Sequence, residues 1–82
     1  MTIKLIGRSY QLNTVKANIE FDLDGETYTR EVEAPIVQVL GMTVEEIKTW
    51  IRNFVANQRR EIQLQAINNL LDPLLDVDIE DS

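Results

Sequence analysis

The chain reads as an α+β protein: an antiparallel sheet of three to four strands packed on one long C-terminal helix, with an acidic tail. Three features lead there. Residues 15–23 alternate apolar and polar side chains and run into Asp24-Gly25, a strong hairpin signal. No glycine or proline interrupts residues 44–71, and Pro73 stands just beyond them. Apolar residues make up 44% of the 82 and charged residues 27%, the balance of a folded chain and not of a disordered one.

Residues 3–6 open an apolar stretch that Gly7 interrupts, and Tyr10-Gln11-Leu12 resumes the alternation in shifted phase. That pattern suits one strand with a bulge, or two short pieces bent at Gly7. In the hairpin, Asp24 and Gly25 accept the positive φ angles of a type I′ turn, and a two-residue loop fixes the register. Leu23 then faces Glu26, Phe21 faces Tyr28, Ile19 faces Arg30, Ala17 faces Val32 and Lys16 faces Glu33. One face gathers Val15, Ala17, Ile19, Phe21, Leu23, Tyr28 and Val32. The other is wet and carries the acidic candidates Glu20, Asp22, Glu31 and Glu33. Arg30 falls on the apolar face, where an edge position lets its stem pack while its guanidinium reaches water; pairing with a carboxylate is the other reading.

Pro35 ends or offsets the ladder, so residues 36–40 read as a further short strand or an extended connector. Thr43 followed by Glu46 forms a capping box, and Glu45 and Glu46 suit the positive end of a helix. Val44, Ile47, Trp50, Ile51, Phe54 and Val55 form one stripe that packs on the sheet, with Trp50 at its border. Beyond the polar run 57–60, Ile62, Leu64, Ala66, Ile67, Leu70 and Leu71 spread round more of the circumference.

Length turns this spread into an expectation. A 28-residue helix spans ~42 Å at ~1.5 Å per residue. A compact chain of this size has a diameter of roughly 30 Å, from a radius of gyration of about 12 Å. The far end therefore overhangs, exposing an apolar patch that soluble monomers avoid. Ile62, Leu64, Ile67, Leu70 and Leu71 are the candidate interface, with a second copy or another protein as partner. A kink at 57–60 that folds the second half back is the competing expectation.

Residues 1–71 form the expected domain and 72–82 the tail. The net charge is −6, of which the tail, with five acids and no base, carries −5. Leu75, Val77 and Ile79 alternate with Asp76, Asp78 and Glu80, as in a strand able to pair with an exposed sheet edge, its own or a neighbour's. A frayed, solubilising end is the plainer alternative.

There is no cysteine and no histidine, which removes disulfides, thiolate metal sites and imidazole chemistry. Asp22-x-Asp24-Gly25 resembles the start of a calcium loop, but the later ligands are missing and turn chemistry explains it. No Gly-rich phosphate loop is present. No catalytic residue, cofactor or metal is expected, so the protein is not expected to be an enzyme. Direct nucleic-acid binding is disfavoured by the charge, and no apolar run reaches the roughly 20 residues of a membrane span. The N-terminus does not read as a signal peptide, and a soluble protein of a reducing compartment is expected.

The order of N-terminal strand, Phe21-Asp22-Leu23-Asp24-Gly25-Glu26-Thr27-Tyr28 hairpin, and Thr43-Val44-Glu45-Glu46-Ile47 opening a long helix resembles that of small bacteriophage-encoded proteins over residues 1–71. The resemblance implies a virion component, an assembly factor or an inhibitor of host defence, in the bacterial cytoplasm or the virion. Two functions follow as expectations: a non-enzymatic assembly protein that self-associates through the second half of its helix, or an acidic inhibitor that imitates nucleic acid.

Overall fold

The computed structural model describes residues 2–81. Three antiparallel strands, β1 (Ile3–Gln11), β2 (Thr14–Leu23) and β3 (Glu26–Pro35), form a meander with β2 in the centre. The β2–β3 register is the one the sequence dictates, from Leu23 opposite Glu26 to Lys16 opposite Glu33. Asp24 (φ 52°) and Gly25 (φ 83°) both take the positive φ of the type I′ turn. β1 is one strand whose register slips between Leu5 and Gly7, the bulge expected from the phase shift. A second hairpin loop, Leu12-Asn13, joins β1 to β2; Leu12 there has a positive φ and is fully exposed.

Residues 36–40 are not a strand. They form a short helix, α1 (Ile36–Leu40), so the sheet stops at three strands. Pro35 explains the turn: it takes φ −60° at the helix N-cap and has no N–H to continue the ladder. The Ile36 N–H donates to the Asn13 carbonyl at 2.8 Å, which holds the new helix against the β1–β2 loop.

The long helix, α2 (Val44–Leu71), is continuous across residues 57–60. Its start is closed by the expected capping box: the Glu46 N–H donates to Thr43 Oγ1 at 3.2 Å and the Thr43 N–H to Glu46 Oε1 at 3.1 Å. Ile51, Phe54 and Val55 lie against Ile19 and Phe21 of the sheet, with Ile62 the last helical residue to join that cluster. The buried residues among those described are Ile19, Phe21, Leu23, Ala34 and Val55, a small core for the length of chain.

The tail is not a strand either. Asp72–Leu74 is a 3-10 turn that carries Pro73, Asp76 has φ 60°, and Ile79–Asp81 forms another short turn. The Asp78 carboxylate accepts the Glu80 N–H at 3.1 Å, a local bond that competes with extension. With no sheet edge alongside, alternation alone gives the segment nothing to pair with.

Candidate interaction surface

The overhang is present in full. The molecule measures 60 × 26 × 19 Å, with a radius of gyration of 17.9 Å against ~12 Å for a compact chain of this length. Beyond Ile62 every residue of α2 is exposed, including Leu64 (48%), Ile67 (47%), Leu70 (74%) and Leu71 (51%). Leu74, Leu75, Val77 and Ile79 continue the exposed apolar surface. The helix is not folded back, and the sheet does not cover it beyond Ile62.

The direction of this surface follows from helical periodicity. Ile51, Val55, Arg59 and Ile62 recur at helical spacing along the side that meets the sheet. At 100° per residue, Leu64, Ile67, Leu70 and Leu71 centre roughly 140° away from that seam. Extending the sheet would not cover them; a partner must approach from another side. Of the predicted interface residues, Ile62 belongs to the protein's own seam, being partly buried against Ile19, Phe21 and Val55.

Arg59 makes the overhang rigid where it leaves the sheet. Its Nε donates to the Asp22 carbonyl at 3.0 Å, and its Nη2 donates to Asp22 Oδ1 at 3.3 Å and to the Thr2 carbonyl at 3.4 Å. Its guanidinium lies 5.7 Å from the Phe21 ring centroid. Phe21 stacks on Tyr28 at 5.8 Å, and Arg30 lies 5.7 Å from the far ring, so two aromatic rings are clasped between two arginines. Arg30 differs from the expectation in that its guanidinium lies on the Tyr28 ring, with Nη1 donating to the Thr29 carbonyl at 2.9 Å. Arg59 does not fit the reading of residues 57–60 as a merely polar run. The signal was its position four residues after Val55, on the sheet-facing side.

The acidic face is more neutralised than its composition suggests. Lys16 Nζ lies 3.8 Å from Glu31 and 3.9 Å from Glu33, while Asp22 is taken by Arg59. Glu20 is half-buried on the same central strand. The Thr2 N–H, donated to Asp22 Oδ1 at 2.7 Å, holds the Asp22 carboxyl below its ordinary pKa, with Arg59 adding to the effect. A depressed carboxyl pKa contributes stability above the unfolded value of about 3.9 and loses it as pH falls through the folded value. Melting temperature should therefore fall on acidification below about pH 4, and Asp22→Asn should flatten that part of the profile in thermal melts.

A groove lies on the other side of α2. Leu5, Tyr10, Val15 and Ala17 on the sheet face Ile47, Trp50 and Ile51 on the helix across a cleft of about 330 Å³, which α1 closes at one end. Leu5 and Tyr10 sit on the same sheet face as Ile19 and Val15, yet remain 55% and 65% exposed, because α2 leaves that side of the sheet uncovered.

Among the described residues, no helix is long and apolar enough to cross a membrane. The chain matches no protein-family model, no curated protein and no solved structure. Any functional reading therefore rests on these surfaces.

Proposed function

We propose that the chain is a non-enzymatic protein–protein interaction and assembly protein that self-associates through the C-terminal half of α2. The observation that carries this reading is the exposed apolar arc of Leu64, Ile67, Leu70 and Leu71 on a continuous helix beyond its own sheet. Fully burying such a side chain is worth about 1.5–3 kcal/mol, so covering half-exposed ones returns on the order of 1 kcal/mol each. A bacteriophage origin, with action in the host cytoplasm or in the virion, belongs to the same reading and is carried by the order of strand, hairpin and capped helix. The alternative, an acidic imitation of nucleic acid by Glu20, Asp22, Glu31 and Glu33, has less support, since Lys16 and Arg59 already engage three of the four.

Light scattering across a concentration series tests the proposal. The natural chain should exceed the mass of a monomer at tens of micromolar, and Ile67→Asp should remain monomeric with unchanged helical circular dichroism. An Ile67→Asp protein that associates as strongly as the natural chain would refute it.

A further inference from the structure

The groove beside β1 and the tail beyond α2 are complementary in kind. The cleft described above adjoins a second hollow of about 410 Å³, and the two share Leu5, Ile47 and Ile51. Each falls in the range of about 300–1,000 Å³ typical of clefts that hold ligands. The floor is apolar, but the exposed residues of its rim include three cations, Arg8, Lys48 and Arg52. Lys48 pairs with Glu45 at 3.5 Å. Arg8 donates only to the Tyr10 hydroxyl, and neither Arg8 nor Arg52 pairs with a carboxylate among the described residues. At the opposite end of the molecule Leu74, Leu75 and Val77 are 47%, 68% and 50% exposed and are interleaved with Asp72, Asp76 and Asp78.

We propose that residues 74–78 of one copy seat in the groove of the next. Leu75 and Val77 enter the apolar floor, and Asp76 and Asp78 meet Arg8 and Arg52 at the rim. The proposal rests on the self-association argued above and names what the far end of the molecule reaches. Measured along α2, the chain's own tail falls short of the groove floor. Arg52, the α2 residue of the groove nearest the tail, lies nineteen helical residues before Leu71, about 28 Å at ~1.5 Å per residue. Six fully extended residues from Leu71 to Val77 span at most ~22 Å at ~3.6 Å each. The contact is therefore between copies and joins two different surfaces, so it propagates head to tail into a ring or a filament.

Full-length charge-swapped chains test this. One variant carries Arg8→Glu with Arg52→Glu, the other Asp76→Lys with Asp78→Lys. All four positions are exposed, so both proteins should keep their helical circular dichroism. Each alone should associate about tenfold or more weakly than the natural chain, as loss of a focal contact does. An equimolar mixture should associate again, because the Glu-bearing groove meets the Lys-bearing tail and the natural groove meets the natural tail. Raising salt should weaken both the natural and the mixed assemblies. Trp50, the sole tryptophan, lines the groove and should shift its emission to the blue on association. A parallel Leu75→Asp, Val77→Asp protein should lose association and the Trp50 shift together. If that protein and both charge variants assemble like the natural chain while Ile67→Asp does not, the tail-in-groove contact is wrong and the helix reading survives. If Ile67→Asp also assembles, both are wrong.

Discussion

Phe21→Ala should leave the chain largely unfolded at 25 °C. Phe21 is 1% exposed and, among the described residues, is one of three fully buried large side chains, with Ile19 and Val55. It packs against the helix, stacks on Tyr28 and carries the Arg59 guanidinium on its ring. Truncating a buried phenylalanine costs about 3–5 kcal/mol through lost transfer energy and the cavity left behind. A domain of this length has a total stability of roughly 4–12 kcal/mol at about 0.05–0.15 kcal/mol per residue, and so small a core places this one at the lower end. The loss is therefore comparable with everything the fold has. Circular dichroism should show loss of the strand signal and a chemical midpoint near zero denaturant. A cooperative transition within about 1 kcal/mol of the natural one would show that the Ile19–Phe21–Val55 cluster does not organise the fold.

Arg59→Ala comes next in size. Three hydrogen bonds from a charged donor tie α2 to the end of β2 and to the residue before β1, at a side chain only 17% exposed. Hydrogen bonds involving a charged group are worth about 1.5–3 kcal/mol net, and contact with an aromatic face adds about 0.5–2 kcal/mol. These bonds share one guanidinium and do not add independently, so a loss of about 2–3 kcal/mol is expected. At about 4–8 °C per kcal/mol for a domain this small, the melting temperature should fall by roughly 10–20 °C. The neighbouring Arg60 is exposed, and Arg60→Ala should stay within about 0.5 kcal/mol of the natural chain. Equal effects at the two positions would mean that the clasp contributes nothing beyond a surface arginine. Both melts belong at one fixed concentration, because association shifts the apparent midpoint.

What could be read from the residues divides along physical lines. Period-two alternation plus Asp24-Gly25 determined one hairpin to the residue, because a tight turn leaves a single register. The Thr43–Glu46 box and the uninterrupted run to Leu71 located α2 in the same way. The Leu12-Asn13 turn was not legible, since a leucine at positive φ runs against the preference for glycine or asparagine there. Residues 36–40 differ from the expected strand or connector because a short run with four β-branched or aliphatic residues around Gln38 looks alike in a strand and a short helix, and only the Pro35 geometry separates the two. Of the two readings of the tail, the strand fails because alternation is necessary for a strand but a pairing edge is what makes one. The overhang was legible from arithmetic on length. The groove was not: it depends on which side of the sheet α2 leaves bare, and one-dimensional periodicity does not contain that choice.

Hydrogen exchange resolved by residue, measured at several protein concentrations, addresses the uncovered second half of α2 itself. Amides of residues 63–71 should exchange quickly in dilute protein and gain protection as concentration rises, whereas those of Ile19, Phe21 and Val55 should already be protected when dilute. Protection of residues 63–71 that is high and independent of concentration would mean that the helix is sheltered within its own subunit, and the proposed assembly would have no basis.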